Sequence, residues 1–434
     1  MAVHDCCGIT GCPVEKRKLE SICRYRNEAV FARDAKCEEY ISTESMVANR
    51  GGITLASSAP SDGKVKRYRK DDVLVSNIRP YFKKIWHASH DGACSNDVLV
   101  FEATKCDPSY LFWVLSSDAF FDYMMKTARG TKMPRGDKKA IMGYQVGLPS
   151  VDQQKAICEI LESLQEKVAL NNQLNGYLEE LGQSLLSECL RSCDDMLPLS
   201  SVMSLGSGFA FKSSTYTNDG KFKILTIKNV QDGSVDCSNS NRIDDPPKKM
   251  RGFCNLQLGS VVLSLTGNVG RVGIVSEEDC LLNQRVAVIQ PHQSSLLPGL
   301  YFYFRQKSFQ NEMIGIARGT AQANLSPLET LQLEIPYDKQ AFDEVNSSLL
   351  PVFDLILANK VESTKLANLR DTLLPKLMSG EIDVSKVDLK QLNSHLAQIR
   401  KLNDAPLATT DLGFRFDRSH YTPLLYNPSS SQQQ

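Results

Sequence analysis

The sequence predicts an α+β protein in which a unit of about 185 residues occurs twice, each copy a globular module followed by a long helix. Three observations lead to this prediction. Short segments recur in one order at nearly constant spacing, strand-like runs fill each module, and a helical pattern about forty residues long ends each copy. The composition is compatible, because 434 residues exceed one ordinary domain and a hydrophobic fraction of 42 % can fill more than one core.

Four pairs of short segments recur along the chain in the same order, at offsets between 180 and 189 residues. The clearest pair is TARGT at 127–131, which returns as IARGT at 316–320. The other pairs are 19–22 with 199–202, 72–77 with 260–265, and 148–154 with 335–340. One match could arise by chance, but four in a constant order indicate a duplicated unit.

Each module is predicted to contain short strands followed by an apolar helix. Strands are indicated by β-branched or apolar runs bounded by Gly, Asn, Asp and Pro. These runs are 72–76, 97–101, 223–227, 261–265 and 285–289. The apolar stretches 110–125 and 300–316 each predict a helix.

Two long helices are predicted, one from about 151 to 193 and one from about 338 to 380. Apolar residues three and four positions apart form one narrow seam on each, which favours packing against a single partner helix. At 1.5 Å per residue each helix would be about 60 Å long, so the expected partner is the other copy, packed antiparallel. The seam residues are Leu161, Leu164, Val168, Leu178 and Leu185, with Ile157, Leu174 and Leu181 beside them, and Val345, Leu349, Val352, Ile356, Leu366, Leu369, Leu373 and Leu377.

Four residues within or after these helices carry specific expectations. Asn171 and Asn359 lie 188 positions apart, and they either fix the register from buried seam positions or face solvent. Pro375 is expected to kink the second helix or end it early. Gly380 is expected to cap it.

The predicted division of the chain follows from these elements. The segments are a lead-in at 1–17, a first module at 18–150, a helix at 151–193, a second module at 194–337, a helix at 338–380 and a disordered tail at 381–434.

Charge and cysteine content restrict the function. The 50 Lys and Arg residues balance 50 Asp and Glu residues, so any contact with nucleic acid must come from local patches. The 13 cysteines are scattered, and no N-terminal secretion signal is evident, which favours free thiols in the cytoplasm. No apolar run approaches the roughly 18 residues that span a bilayer. His4, Cys6, Cys7 and Cys12 could bind a metal ion, but the next cysteines lack paired spacing, so no metal is expected.

Five segments resemble parts of the specificity subunits of type I restriction-modification systems. NIRPYFKKIW at 77–86 with CSND at 94–97 is typical of one class of target-recognition domain. Residues 148–157 with 171–175 look like the central spacer helix of that family, and LRDTLLPKLMSGEI at 369–382 is similar to its C-terminal spacer. The resemblance covers about 16–385, and it leaves the cysteine-containing lead-in and a tail of about fifty residues unexplained.

The resemblance implies two target-recognition domains separated by two antiparallel spacer helices with a pseudo-two-fold internal repeat. Each domain would read one half of a bipartite sequence in double-stranded DNA. The helices would set the gap between the halves and dock two methyltransferase subunits, which a restriction-translocase subunit then joins. The chain itself would be non-catalytic and hold no cofactor, because S-adenosylmethionine would bind the methyltransferase subunit.

Basic, Asn-rich and aromatic stretches supply candidate DNA-binding residues, with cations suited to phosphate and Arg, Asn and Gln suited to base edges. Residues 64–84 hold eight basic residues and two aspartates, and 121–140 hold six basic residues and two aspartates. Each charge could instead belong to a solvated face, and Arg285 to an internal salt bridge. The candidates are Lys66, Arg67, Arg69, Asn77, Arg79, Lys83, Lys84, Asn96, Arg129, Lys132 and Arg135 in the first module, and Lys212, Lys228, Asn229, Asn268, Arg271, Asn283, Gln284, Arg285, Arg318 and Gln322 in the second.

Two other functions are considered. A self-contained DNA methyltransferase would need an aromatic after the Pro-Pro pair of 245–248, where Lys248 stands, and a glycine-rich donor loop. The segment GNVGRVG at 267–273 lacks the phosphate-loop ending and predicts a hairpin turn with Asn268 and Arg271 at its tip.

A coiled-coil scaffold that does not bind DNA would explain the helices but not the two basic modules.

Overall fold

The computed structural model describes residues 14–34, 36, 39–56, 58–130, 132–319 and 323–384. The candidate metal ligands at 4–12, the candidate Gln322 and residues 385–434 of the tail predicted at 381–434 lie outside the described residues. The predicted start of that tail was wrong, because Val384 is buried in the core of the first module. The nine cysteines of the described part are free thiols. No helix in that part combines the length and hydropathy needed to cross a bilayer.

The described chain contains eight α-helices and 21 strands, and the same order occurs twice: a run of strands, three short helices, one strand and a long helix. The helices are α1 Pro108–Ser116, α2 Asp118–Lys126, α3 Lys138–Met142, α4 Val151–Arg191, α5 Leu297–Arg305, α6 Lys307–Ile316, α7 Pro327–Thr330 and α8 Lys339–Ser379.

The first module contains ten strands before α4. They are β1 Lys16–Lys18, β2 Cys23–Tyr25, β3 Ala29–Phe31, β4 Tyr40–Ile41, β5 Lys64–Tyr68, β6 Val73–Ser76, β7 Ile85–His87, β8 Gly92–Cys94, β9 Val98–Ala103 and β10 Gln145–Gly147. They form two four-stranded sheets, in the orders β2-β9-β6-β7 and β3-β5-β8-β4, and a ribbon of β1 with β10.

The second module repeats this plan with eleven strands. They are β11 Met196–Pro198, β12 Met203–Ser207, β13 Phe222–Leu225, β14 Gly233–Ser234, β15 Asn241–Ile243, β16 Asn255–Leu256, β17 Val261–Ser264, β18 Val272–Ile274, β19 Cys280–Leu282, β20 Val286–Pro291 and β21 Glu334–Pro336. The sheets have the orders β12-β20-β17-β18-β14 and β15-β13-β19-β16, and β11 pairs with β21 in a ribbon. Each of the five predicted strand runs overlaps a strand.

The predicted apolar helices at 110–125 and 300–316 are each two helices, so the prediction of single helices was wrong. The backbone is extended at Ser117, with ψ 146°, and at Gln306, with ψ 132°. The hydroxyl of Ser117 accepts from the N–H of Phe120 and caps α2. A residue in extended conformation interrupts the helical hydrogen bonds, so the chain turns between the two helices.

The two long helices are each 41 residues and pack antiparallel, as predicted. Arg370 on α8 donates to Gln165 on α4 near one end, whereas Asn359 donates to Asn175 nearer the other. Reciprocal bonds between Ser150 and Gln153 form a capping box that starts α4. Gly380, in left-handed conformation with φ 75°, ends α8 as expected.

Pro375 lies inside α8, so of its two expected effects the early end of the helix was wrong, and the kink stays a prediction. The helix continues to Ser379 because its last turns belong to the core of the first module. Leu374 and Leu377 are buried there. Burial of these two side chains offsets the single helical hydrogen bond that a proline removes.

The modules lie at opposite ends of the helix pair and share their cores with it. The first module buries Ile157 and Leu161 of α4 together with the end of α8. The second module buries Leu186 of α4 and, in the first half of α8, Phe342 and Ile356. Both ends of each helix are therefore fixed by a module, which sets the separation of the two modules.

Contacts with the modules also change which face of each helix is buried. Leu174, Leu181 and Leu369 were predicted on or beside the seam, but they are exposed. Gly182 is buried instead, with no room for a side chain against the ring of Phe302. The seam was predicted from packing against one partner helix only. It therefore does not include the helix surface that a module covers on another side.

Asn171 and Asn359 are buried, so the alternative that both face solvent was wrong. Asn171 donates to the carboxylate of Glu362 at 2.8 Å, and Asn359 donates to the carbonyl oxygen of Asn175 at 2.9 Å. Buried amides that are paired across two helices are suited to fixing their register. That role remains a proposal.

We expect Asn359→Leu to destabilise the full chain by about 1–3 kcal/mol, because it leaves the side-chain oxygen of buried Asn175 without its donor. The double variant Asn175→Leu/Asn359→Leu removes both members and should recover most of that loss. Urea unfolding of both single variants and the double variant measures the coupling. Additive losses would show that the two amides do not act as a pair.

Candidate nucleic-acid interface

Three loops of the first module meet at one end of its β6-β7 hairpin. The N–H of Arg79 donates to the carbonyl of Pro134 at 2.8 Å, which joins the hairpin loop to the loop at 129–135. The N–H of Asn49 donates to Phe82 at 2.8 Å and that of Arg50 to Lys83 at 2.9 Å, which adds a third loop. Backbone hydrogen bonds therefore bring together segments that are far apart in sequence.

Backbone strain is concentrated at this junction. Of the six non-glycine residues with positive φ in the described chain, four lie here: Asn49, Arg50, Arg79 and Lys83. Left-handed backbone is costly for residues other than glycine, and such strain tends to cluster at binding and catalytic sites. The junction is therefore a functional candidate independent of its charge.

The exposed side chains around the junction are basic, amide and apolar. The rings of Tyr81 and Phe82 lie 4.6 Å apart and both are exposed, as is Met133. Basic groups next to exposed rings suit contact with phosphate and with base edges or methyl groups. We call the following set the first loop surface: Arg79, Tyr81, Phe82, Asn96, Arg129, Lys132, Met133 and Arg135.

Several basic side chains here pair with carboxylates. Arg129 lies 2.7 Å from Asp137, although 85 % of its side chain is exposed. Arg135 lies 3.2 Å from Asp97. Exposed ion pairs contribute little to stability, so these two arginines can exchange a carboxylate for a phosphate at small cost. Lys83 is less exposed and lies 2.8 Å from Asp118, which also pairs with Arg50.

Three candidates in the first module face inward. The ammonium of Lys66 donates to the carbonyls of Asn96 and Val98, and that of Lys84 donates to Thr43 at 2.6 Å. Burial lowers the pKa of both lysines. Asn77 is buried. These residues support the loops from within and are not proposed as direct DNA contacts.

Arg67 and Arg69 are exposed on or next to β5, away from the junction. Arg69 pairs with Glu28 at 3.0 Å, and Arg67 lies 3.9 Å from Asp91. Asn96 is exposed and donates to the carbonyl of Lys64 at 3.1 Å. The basic run at 64–84 is therefore split between two parts of the module.

The second module brings equivalent loops together. The N–H of Leu265 donates to the carbonyl of Arg285 at 3.0 Å, and Thr266 and Arg318 each form a bridge with Asn324. The first module has the same contacts, from Asn77 to the carbonyl of Asp97 and from Ile78 and Arg129 to Arg135. We call the exposed candidates of these loops the second loop surface: Lys212, Lys228, Asn268, Gln284, Arg285 and Arg318.

The β17-β18 hairpin confirms the turn that was predicted from GNVGRVG, but the prediction that Arg271 lies at its tip was wrong. Arg271 lies at the base of the loop, where its carbonyl accepts from the N–H of Ser264 at 2.9 Å. The two strands pair antiparallel and Asn268 is exposed between them. Arg271 is half-buried and donates to the side chain of Gln231 at 3.3 Å. Gln231 in turn donates to the carbonyl of Lys228 at 3.0 Å, which places Lys228 beside the hairpin.

The structure changes the interpretation of Asn229, Asn283 and Arg285. Asn229 is buried, and its amide bonds to Thr226, Asp236 and Ser240, so it is an internal brace and is no longer proposed to contact DNA. Asn283 is half-buried at a bridge with Phe209.

Arg285 has no acidic partner among the described residues. The alternative interpretation, in which Arg285 belongs to an internal salt bridge and does not bind DNA, is therefore not supported.

The two loop surfaces share a backbone plan but differ in charge at matching positions. Asp97 and Arg285 occupy the same place, because each carbonyl accepts the hydrogen bond described above. The first module thus has a carboxylate that pairs with Arg135, and the second has the guanidinium of Arg285, for which the described residues provide no acidic partner. Two surfaces with the same backbone arrangement but different side chains are suited to binding two different nucleotide sequences.

Sequence reasoning missed Tyr81, Phe82 and Met133. The first two follow Pro80 within a basic run, and aromatic residues in such a run could have been singled out. No sequence pattern indicated Met133, because the exposure of its side chain depends on the conformation of the loop. No group of three or more His, Cys, Asp or Glu residues in the described ranges is arranged to bind a metal ion.

Comparison with known proteins agrees with the duplicated architecture. The family model described as the type I restriction modification DNA specificity domain matches residues 13–180 and again 195–369. The chain is 23 % identical over 416 residues to the HindI specificity subunit of Haemophilus influenzae, with 76 % of this chain and 90 % of that one covered. It is 23 % identical over 309 residues to the MjaVIII specificity subunit of Methanocaldococcus jannaschii, with coverages of 65 % and 72 %.

Among solved structures, the type I restriction-modification S subunit from M. genitalium is 17 % identical, with a TM-score of 0.48 and coverages of 86 % and 96 %. The two family-model matches together span most of the chain, and each includes one module and the greater part of the long helix that follows it. The chain therefore belongs to the family of type I restriction modification DNA specificity domains, of which it carries two copies.

Proposed function

We propose that the chain is the sequence-specific DNA-binding subunit of a type I restriction-modification complex, and that each module reads one half of a bipartite target. The observation that carries this proposal is the pair of loop surfaces, which share one backbone plan and differ in their side chains. Their exposed Arg, Lys, Asn and Gln residues supply the groups that phosphates and base edges require. The family membership gives independent support.

The helix pair is proposed to set the unread gap between the two halves. Each helix of 41 residues is about 60 Å long. Half-sites on B-DNA that face the same way are separated by multiples of about 34 Å. A rigid rod of this length, with a module embedded at each end, can hold two loop surfaces at a fixed separation.

Two methyltransferase subunits are proposed to dock on the helices, followed by a restriction-translocase subunit. Exposed apolar residues on α4 support a docking role, namely Leu174, Tyr177 and Leu181 at spacings of three and four residues. In this proposal the chain is non-catalytic and cytoplasmic, the methyl donor binds the partner, and the functional units are 18–150, 151–193, 194–337 and 338–380.

The test is selection of DNA by the purified full-length chain. The chain is incubated with a random duplex library at about 100 mM salt, and bound DNA is sequenced after several rounds. We expect a motif of two specified halves with a fixed unspecified gap. Enrichment of one contiguous motif, or of none, would contradict the proposal. The scaffold alternative predicts no salt-dependent DNA binding, and the self-contained methyltransferase alternative predicts binding of S-adenosylmethionine by the isolated chain.

Co-expression with a type I methyltransferase subunit and mapping of host DNA methylation extends the test. A split motif that is methylated only when both chains are present is the expected result. Methylation by this chain alone would contradict its assignment as non-catalytic.

A further inference from the structure

The β6-β7 loop of the first module and the β17-β18 loop of the second correspond residue by residue at both ends. Ser76 and Ser264 each start the loop, and each hydroxyl donates to the carbonyl two residues later. Each serine N–H also donates to the residue that precedes the next strand, Lys84 at 3.0 Å and Arg271 at 2.9 Å. Positions counted inward from these two anchors are therefore equivalent.

At two equivalent positions the backbone is left-handed in both modules, but the residue types differ. Three residues after the serine stand Arg79, with φ 50°, and Gly267, with φ 73°. Two residues before the next strand stand Lys83, with φ 50°, and Gly270, with φ 79°. Glycine adopts this conformation at little cost, whereas an arginine or lysine is strained in it. The second module thus has the residue that the backbone favours, and the first module has a cation.

For Lys83, a contact within the protein accounts for the strained backbone, because its ammonium lies 2.8 Å from the carboxylate of Asp118. For Arg79, the described residues provide no such contact. Its side chain is exposed, and no hydrogen bond or ion pair of its guanidinium is recorded within the described part of the chain. Arg79 also precedes Pro80, a position that favours extended backbone and makes the left-handed conformation still less favourable.

The backbone of Arg79 is nevertheless held firmly. Its N–H donates to Pro134 at 2.8 Å and its carbonyl accepts from Phe82 at 3.0 Å. The side chain of Arg79 therefore starts from a backbone that Pro134 and Phe82 hold in place, and the exposed residues Tyr81 and Phe82 follow it in the same loop. A strained, fixed and unpartnered arginine on a surface is suited to a ligand outside the chain.

We propose that Arg79 is the residue by which the first module specifies a guanine in its half of the target. Arginine bonds to guanine through two parallel hydrogen bonds in the major groove, which a lysine or glycine does not reproduce. This inference rests on the proposed DNA-binding function and assigns a base to one residue of it. The second module, with Gly267 at the same place, reads its half with other side chains.

The test is the same random-duplex selection with the full-length wild type, Arg79→Gly and Arg79→Lys. We expect Arg79→Gly to lose preference for one G·C pair about tenfold or more, in one half only, with the other half and the gap unchanged. Arg79→Lys should lose the same preference while it keeps the salt dependence of binding. Because glycine relieves the backbone, Arg79→Gly should also melt about 2 °C higher than the wild type.

Asp71→Gly is the matched control. Asp71 is exposed, has φ 69° and lies in the turn between β5 and β6. Its replacement should likewise raise the melting temperature, and it should leave both halves of the motif unchanged. Retention of every base preference by Arg79→Gly, or a lower melting temperature, would overturn the proposal while leaving the DNA-binding function intact. A wild type that selects no bipartite motif would overturn both.

Discussion

Arg305→Ala is expected to destabilise the protein by about 3–5 kcal/mol, the largest effect that we expect from a single substitution. Arg305 on α5 donates to the carboxylate of Glu179 on α4 at 2.5 Å and to the hydroxyl of Tyr301 at 2.7 Å. Only 15 % of the Arg305 side chain and 16 % of that of Glu179 are exposed. Removal of the cation leaves a carboxylate buried between α4 and the second module without its charged partner.

Unfolding of the full chain in guanidinium chloride measures this loss of stability, and a double variant provides the control. Glu179→Leu/Arg305→Met removes both charges and keeps most of the side-chain volume, so it should recover most of the loss. A loss below about 1 kcal/mol for Arg305→Ala would show that the pair does not hold the module on the helix.

The loss should also depend on pH. Burial raises the pKa of Glu179, and Arg305 opposes that rise. A carboxyl with a raised pKa in the folded state penalises folding at pH values above that pKa, and the penalty disappears as the pH falls below the pKa of the unfolded chain. Without Arg305 the pKa rises further, so the deficit of the variant should be smaller at pH 5 than at pH 7.5. An equal deficit at both pH values would contradict this explanation.

The second large effect is expected from the triple variant Lys212→Ala/Lys228→Ala/Arg285→Ala in the second loop surface. All three side chains are exposed, and none has an acidic partner among the described residues. If each neutralises one phosphate, the slope of log affinity against log salt should fall by about 2.7. The affinity for a duplex that carries the selected motif should then fall by about a hundredfold at 150 mM salt.

Fluorescence anisotropy titrations at several salt concentrations measure both quantities. The control variant Lys16→Ala/Lys18→Ala/Lys105→Ala removes the same charge from exposed positions in or beside the β1-β10 ribbon and the start of α1. It should leave the slope unchanged. An equal change of slope in both variants would indicate that net charge, and not the second loop surface, governs binding.

For the candidate site, the sequence indicated regions that lie together in the fold, but it could not indicate which of their residues are exposed. The segments around Arg79, Arg129, Asn268 and Arg318 do meet in two loop clusters. Within these regions, composition did not reveal which cations point outward. Lys66 and Lys84 are bound to backbone carbonyls, and Asn229 is saturated by internal hydrogen bonds. A side chain's direction depends on strand pairing and loop contacts between distant segments, which local patterns do not encode.

The duplicated architecture, the two long antiparallel helices and the cap at Gly380 could all be predicted from the amino-acid sequence. These features depend on periodicity and on local backbone preference, which are properties of neighbouring residues. The tertiary structure decided which helix face is buried, that α8 continues through Pro375, and that Ser117 and Gln306 interrupt the apolar helices. It also decided that the first module holds Arg79 in a conformation that glycine adopts in the second. Each of these depends on contacts between the modules, the helices and distant loops, whose free energies exceed the local preferences that they override.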